Sequence, residues 1–505
     1  MDAVQRAAKS TVASLFAARA RVHPGRVALD DGTRALTYGE VLERSARLAG
    51  FLRGRGVQRG DRLAVLSENR LEYLEVHLAA ARIGAITACQ SWRLAPAELR
   101  HCLELVEPKV TFASPLHAEK LAADLVLGDA YEAALAAATP APIDDAVDPE
   151  DPLIILYTSG TTGLPKGAVL SHRAEIVRNL TMRAELGLAS DDDTVAWPPL
   201  YHMGATEWSL GTLMSGGAVY VLPGYDAARL ADIVATKKLG WLLLMPGMIA
   251  SFAEELRRRA IVPRGIKIAG VMADLVPPHE LAEITTLLRA PYGNTFGATE
   301  TGCPPCSSNL IPIGVVPERL SKEQSPYCEV RLVDADGDDV PDGTPGELWM
   351  RGPTLFSGYF RNPEANAASF AGGWFHMGDV FQRNADGTLD FVDRVKYLIK
   401  SGGENVYPAE IERVLLADPR VAEAAVVRRP DAKWGEVPVA FVARSDAALT
   451  AEELYARCRA ELAGYKQPKD IVFIALEEFP RSASGKVQRH ELEKLEKLEK
   501  REKRP

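Results

Sequence analysis

The sequence predicts an α/β protein built in three successive styles: a large region of mostly parallel sheet, a small antiparallel and barrel-like stretch, and a compact α+β unit. Aliphatic runs of strand length alternate with amphipathic helical patterns over hundreds of residues; Asp-Gly and Gly-Gly turns then crowd the stretch after Asp334; helix and strand patterns alternate again beyond Asp393. The 505 residues also exceed one ordinary domain, so more than one core is expected.

The elements follow in chain order. In residues 1–21 Ala, Val, Leu and Phe recur at helical spacing up to the His23-Pro24 break, which reads as a first surface helix rather than a transit peptide. From 36 to 104, short runs such as 63–66 and 85–88 alternate with longer helical patterns. Residues 153–157, 218–222, 241–245 and 266–272 read as buried strands, with helices over 227–237 and 278–288. Ligands are expected at the ends of such strands. Asp336-Gly337, Asp342-Gly343, Gly372-Gly373 and Asp386-Gly387 then punctuate short strands, hence the barrel-like subdomain. Next come helix 409–417, strands 423–428 and 437–443, helix 451–463 and strand 471–475. The tail 491–503 repeats Glu, Lys and Leu, the pattern of a solvated helix, and receives no role.

An apolar fraction of 47% and a charged fraction of 25% exclude disordered and fibrous classes, and no run approaches the length of a membrane span. The 59 basic and 68 acidic side chains leave a net charge of -9, which argues against a nucleic-acid partner. A polyanionic substrate would therefore need local cations. Six cysteines in so long a chain fit free thiols in a reducing, cytoplasmic compartment. Cys303 and Cys306 form a CxxC, but no second pair or paired histidines stand at zinc spacing, so packing is the expected role.

The apolar run Leu153-Ile154-Ile155-Leu156 leads into Tyr157-Thr158-Ser159-Gly160-Thr161-Thr162-Gly163-Leu164-Pro165-Lys166-Gly167. Glycines let main-chain N–H groups approach phosphate oxygens, Thr158, Ser159, Thr161 and Thr162 add hydroxyls, and Lys166 supplies charge. The string lacks the GxxxxGK[ST] spacing of a Walker A loop. A plain Ser/Thr/Gly surface loop is the competing reading, and the full string weighs against it.

Further motifs stand downstream: Tyr201-His202, Phe296-Gly297-Ala298-Thr299-Glu300, Gly378-Asp379, Asp393-Arg394-Val395-Lys396, Ser401-Gly402-Gly403-Glu404-Asn405, and Pro480 through Gly485-Lys486. In this order they resemble the acyl-adenylate-forming superfamily, in its branch of AMP-forming acyl- and aryl-CoA ligases, similar to 4-chlorobenzoate-CoA and fatty-acid-CoA ligases. The resemblance extends over nearly the whole chain. It implies an N-terminal domain 1–393 of two α/β subdomains plus the barrel-like one, a hinge at 394–396, and a mobile lid domain 397–505. It also implies ATP, Mg2+ and coenzyme A, used in two steps: acyl-AMP formation with release of pyrophosphate, then transfer of the acyl group to the CoA thiol.

A carboxylate must approach a triphosphate of like charge, and at about 4 Å each unit-charge pair costs roughly 4 kcal/mol at an effective dielectric near 20. By resemblance Glu300 and Thr158 hold the Mg2+ that offsets this repulsion, and Thr299 contacts the α-phosphate region. Ser159, Gly160, Thr161, Thr162, Gly163 and Lys166 wrap the phosphates. Phe296 lies against the adenine, Gly297 and Ala298 are further ATP/AMP-binding positions, and Asp379 and Arg394 lie at the ribose. Lys486 reaches the substrate carboxylate and α-phosphate, which places it with Glu300, Thr158 and His202 among the catalytic residues. Lys396 occupies the hinge. Gly402 and Gly403 let the pantetheine arm pass, Trp434 packs on it, and Lys466 and Lys469 meet the CoA phosphates. Each element has a blander reading: Thr299-Glu300 as a helix cap, Gly378-Asp379 or Gly402-Gly403 as tight turns, Lys486 as a basic tail residue.

The resemblance places the acyl pocket among Trp197, His202, Met203, Gly204, Val271, Met272 and Gly302. This lining is mostly apolar and offers no obvious partner for an α-ammonium group, Glu207 excepted. Where relatives often read Gly-Gly-Ala-Pro, this chain reads Gly270-Val271-Met272-Ala273, so the pocket is expected to suit an aryl or short-to-medium acyl group. The stretch 314–326 departs from the usual glycine-rich linker. Two other readings are an adenylation enzyme loading a carrier protein and a catalytically silent relative. A carrier-loading module would continue into a carrier domain, whereas nineteen residues follow Lys486, and Glu300, Asp379 and Lys486 argue against silence. Expected partners are a small carboxylic acid, ATP and CoA, with a homodimer and a lysine acyltransferase acting on Lys486 as further candidates.

Overall fold

The computed structural model describes residues 3–158, 164–402, 404–481 and 487–502. The chain divides into two units, 1–329 with 351–373 and 330–350 with 374–505.

Two sheets organise the first unit. One has the strand order Leu125–Val126, Val110–Ala113, Arg62–Leu66, Ile86–Gln90, Pro152–Thr158 and Lys166–Ser171. Its neighbours run parallel except the last pair, a hairpin. Helices cover its strands, so they are largely apolar and deeply buried: Ile86–Gln90 is buried at every position, its polar Thr87 and Gln90 included. The other sheet runs Leu310–Ile311, Tyr292–Gly293, Ile266–Ala269, Leu239–Leu242, Asp193–Ala196, Val219–Val221, Val27–Asp30 and Ala35–Thr37. Helices Ala227–Thr236, Ile249–Arg258 and Pro278–Leu288 bury their apolar faces against it through Leu230, Phe252 and Ile284.

Three sequence expectations shift here. The N-terminal periodicity is broken into helices Ala3–Ala8 and Val12–Val22, because Thr11 caps the second: its hydroxyl accepts from the Ser14 amide while the Ser14 hydroxyl accepts from the Thr11 amide. The strand expected over 241–245 is Leu239–Leu242. The strand expected to reach 272 ends at Ala269, because Gly270 turns the chain at φ +72 and a Cβ there would lie 2.0 Å from the Tyr292 ring. The Tyr292 hydroxyl then donates to the Val271 carbonyl at 3.0 Å.

The atypical stretch 314–326 contains a fully buried lysine. Lys322 Nζ donates to Asn294 Oδ1 at 2.7 Å and to the Leu320 carbonyl at 3.3 Å, and lies 2.8 Å from the Asp274 carboxylate. The connecting stretch is thus tied to the segment that follows Met272.

In the second unit the turn-rich stretch forms an antiparallel sheet in the order Glu329–Val333, Gly346–Arg351, Phe375–Arg383 and Leu389–Arg394. A second sheet runs Glu404–Val406, Ile399–Ser401, Gly435–Arg444 and Val421–Asp431, with Asp470–Phe473 parallel to Gly435–Arg444. Helices Pro408–Leu416 and Ala451–Glu461 close its core through Ile411, Leu415, Leu454 and Cys458. The tail helix, Arg489–Glu502, is anchored at its start rather than wholly solvated. Leu492 is buried beside Val439 and Phe441, and Arg489 forms a two-pronged pair with Glu412 at 2.6 and 2.7 Å.

Candidate active site

The hairpin of Pro152–Thr158 and Lys166–Ser171 places Thr158 opposite Lys166. Tyr157 is anchored beneath, its hydroxyl donating to the Cys102 carbonyl at 3.0 Å and accepting from Gln90 Nε2 at 2.9 Å. The expected phosphate contacts Ser159, Gly160, Thr161, Thr162 and Gly163 lie outside the described residues.

Segment 353–360 crosses this hairpin: the Val169 amide donates to the Gly358 carbonyl, Ser357 to Val169 and Phe360 to Gly167. It delivers Tyr359, which sequence reasoning missed. The Tyr359 hydroxyl donates to Glu300 Oε1 at 2.9 Å, and the Lys166 ammonium sits 4.2 Å from the centre of its ring. Burial, and then the Glu300 charge, push the phenol well above its usual range, so it remains a donor. Tyr359 thereby joins the expected metal-binding carboxylate to the cation at the end of the phosphate loop.

Glu300 is held from its main chain too, its carbonyl accepting from the Phe356 amide at 2.9 Å. It sits in the turn of the hairpin Phe296–Ala298/Gly302–Cys306, in which a Cβ on Gly297 would lie 1.9 Å from the Gly302 carbonyl. The Ala298 amide donates to the buried Thr301 hydroxyl at 2.9 Å. Phe296, Gly297, Ala298, Thr299 and Glu300 are thus presented as one rigid turn, with Phe296 5% exposed. Glu300 offers a partly exposed carboxylate and Thr158 a partly exposed hydroxyl. These are oxygen donors of the kind Mg2+ takes in small number while keeping water and phosphate as its other ligands, so the residues fit the ion. Replacing Tyr359 with Phe is expected to raise the Mg2+ and ATP concentrations for half-maximal adenylation about 3- to 10-fold, because one charge-assisted hydrogen bond is lost; pyrophosphate release titrated against each checks this.

In the second unit Asp379 and Arg394 are cross-strand partners, and the guanidinium lies 3.1 Å from the carboxylate. The two ribose candidates are therefore brought together. Gly378 supplies the positive φ beside them, and its amide donates to Glu347. Asp393 accepts from the amides of Arg394 and Ala409, and burial raises its carboxyl to about 6. Lys396 is exposed in the short turn Val395–Tyr397, its carbonyl accepting from Arg428. Gly402 has φ +63, and its Cβ would meet the Trp434 ring at 2.7 Å, so Trp434 already accounts for this glycine. Trp434 is otherwise 42% exposed. Lys466 pairs with Glu410 at 2.8 Å, whereas Lys469 is exposed. Gly403 and Lys486 lie outside the described residues.

The acyl candidates divide. His202 caps helix Met203–Ser215, its Nδ1 accepting from the Gly204 amide at 3.3 Å. Val271 and Met272 cluster with Leu243, Met245, Cys303 and two residues not expected at the acyl site, Trp208 and Trp241, whose rings meet edge to face at 4.3 Å. A Cβ on Gly204 would stand 3.2 Å from Leu243. Trp197 falls instead in the cluster of Tyr220, Met248 and Phe252, its indole N–H bound to the Leu243 carbonyl.

Beside Cys303 lies a charged group. Arg178 pairs with Glu207, donates from Nε to the Thr354 carbonyl at 2.8 Å and from Nη2 to the Thr299 carbonyl at 3.2 Å. A Cβ on Gly302 would meet its side chain at 2.9 Å. Glu175, buried nearby, is pushed up to about 8 by burial and by the Glu207 charge. Because the unfolded chain releases this proton near pH 4.5 and the native one near 8, stability falls as pH rises through that window. Glu175→Gln is expected to flatten this decline between pH 5 and 8, measured by urea unfolding at both ends.

Residues 16–360 match the AMP-binding enzyme family and residues 410–486 the AMP-binding enzyme C-terminal domain. Feruloyl-CoA synthase from Amycolatopsis sp is 35% identical over 483 residues, 94% of this chain and 97% of that protein. Indoleacetate–CoA ligase from Aromatoleum aromaticum is 34% identical over 495 residues, covering 94% and 96%. Among solved structures, o-succinylbenzoate CoA synthetase from Bacillus subtilis in complex with its acyl-adenylate intermediate aligns with a TM-score of 0.83 at 28% identity, covering 95% and 97%. ATP-bound MatB from Rhodopseudomonas palustris aligns with a TM-score of 0.83 at 27% identity, covering 96% and 98%.

The chain belongs to the AMP-binding enzyme family. Within that family it is an AMP-forming acid–CoA ligase, using ATP, Mg2+ and coenzyme A, rather than a carrier-loading enzyme. Among the described residues no helix is long and apolar enough to cross a membrane.

Proposed function

We propose that this ligase activates an aromatic carboxylic acid, working in the cytoplasm. The observation that carries the reading is the cluster of Trp208, Trp241, Leu243, Val271, Met272 and Cys303, which joins flat aromatic walls to two bulky residues after Gly270. Such walls suit a ring better than a long flexible chain. The acids named in feruloyl-CoA synthase and indoleacetate–CoA ligase agree with it.

In the first step Lys166 and the 158–163 loop take the triphosphate, and Glu300, positioned by Tyr359, with Thr158, holds Mg2+. When bound, the metal withdraws charge from the phosphate oxygens. Asp379, oriented by Arg394, receives the ribose hydroxyls, and Lys486 stabilises the charge that builds as the carboxylate attacks the α-phosphorus. In the second step a lid domain 397–505, pivoting at 394–396 with Lys396 as the hinge residue, brings Gly402, Gly403 and Trp434 to the pantetheine and Lys469 to the CoA phosphates; Lys466 is occupied by Glu410 until that pair opens. The Pro480-to-Lys486 string also fits a lysine acyltransferase as regulator, since acylation would remove the cation.

Pyrophosphate release and thioester formation on matched aromatic and aliphatic acids, with and without CoA, test the substrate class. Aromatic acids are expected to show kcat/KM about tenfold or more above aliphatic acids of similar size, as good pocket packing typically yields. A preference for aliphatic chains would sink the proposal.

A further inference from the structure

The helix Met203–Ser215 is buried along most of its length, yet Met203, Gly204, Glu207 and Trp208 keep accessible surface. Spacings of one, three and four residues put these four on one helical face. Trp208 packs against the cluster of Val271, Met272 and Cys303, so the accessible stripe lies along its edge. Glu207 stands in the middle of it. Its side chain is 10% exposed, whereas the partner Arg178 is 2% exposed and spent on Glu207, Thr354 and Thr299. Cys303, at the cluster wall, has its thiol raised by burial and then by the Glu207 charge, which marks their proximity.

A carboxylate paired to a guanidinium at the edge of an apolar cluster discriminates among substituents. The Arg178 guanidinium already balances Glu207, so an ammonium group would bring an uncompensated charge into a buried place, and an anionic substituent would be repelled. A neutral donor satisfies the carboxylate at no charge cost. Glu175 is buried with both carboxyl oxygens unpartnered, and burial raises both it and Glu207, so one proton held between the two carboxyls leaves the group with Arg178 electrically neutral.

We propose that Glu207, held by Arg178, is a specificity-determining residue that selects aromatic acids bearing a neutral hydrogen-bond donor, a phenolic hydroxyl or ring N–H, on the ring away from the reacting carboxylate. This deepens the aromatic-acid reading and rests on it. The test compares kcat/KM for benzoic, phenylacetic and cinnamic acids in unsubstituted, hydroxyl-bearing and methoxy-bearing forms. On the best-used scaffold the hydroxyl form is expected to exceed both others by about 10- to 100-fold, the range of a hydrogen bond to a charged group. In Glu207→Met that ratio is expected to fall to near one, and in Glu207→Gln, which keeps an acceptor without the charge, to an intermediate value. Ratios within twofold in the unaltered enzyme overturn the inference without any variant, as does a Glu207→Met enzyme that loses activity equally on all three forms. If aromatic acids are not turned over while aliphatic ones are, the aromatic reading falls and takes this inference with it.

Discussion

An enzyme carrying Lys486→Ala is expected to form acyl adenylate about 10²–10³-fold more slowly, yet to convert supplied acyl-AMP and CoA to thioester at close to the normal rate. The asymmetry follows from where charge builds. In adenylation the attacking carboxylate and the pentavalent phosphorus are both anionic, and a cation that tightens on them only in the transition state lowers that barrier alone. In thioester formation the leaving AMP departs from carbon, and the lysine has no matching task. Separate assays of pyrophosphate release and of CoA consumption from synthetic acyl-AMP check the split, and an equal loss in both steps would remove Lys486 from the catalytic position.

Glu300→Gln is expected to lower adenylation by a comparable 10²- to 10³-fold, with the deficit partly recovered at high Mg2+. Gln keeps the shape of the side chain and can still accept from the Tyr359 hydroxyl, which stands 2.9 Å from the native carboxylate. Only the charge is lost, so the change isolates metal binding from positioning. A kcat/KM unaffected by the substitution at any Mg2+ concentration would place the metal elsewhere.

The strand leading into the phosphate loop was legible because a strand buried on both faces beside a parallel neighbour is apolar without interruption, as residues 153–156 are, whereas the returning strand Lys166–Ser171 was not read. The helix over 278–288 was legible for the complementary reason, a clean amphipathic period. Strand ends were less so: Gly270 ends a run whose apolar residues continue to Met272, and the ring that requires the turn, Tyr292, lies twenty-two positions on in the sequence. Tyr359 was invisible for a similar reason. Its role comes from segment 353–360 crossing the loop hairpin, a pairing that no local pattern announces. Trp241 was read only as part of a buried strand and Trp208 not at all, and only their shared cluster with Val271 and Met272 suggests them for recognition. Glu207 stood out in the sequence as an unplaced acid, but its neutralising partner Arg178 could not be read from spacing.

The ion pair of Lys322 and Asp274 carries a consequence for how this enzyme can change. Loss of Asp274 would leave the fully buried Lys322 ammonium with only the neutral acceptors Asn294 and Leu320, whereas loss of Lys322 would leave a carboxylate that still reaches solvent. The cost of change is therefore uneven, larger at Asp274 than at Lys322. The loop after Met272 and the distant connector that braces it thus share one charged contact, so a substitution at Asp274 is felt in the connector as well as in the loop.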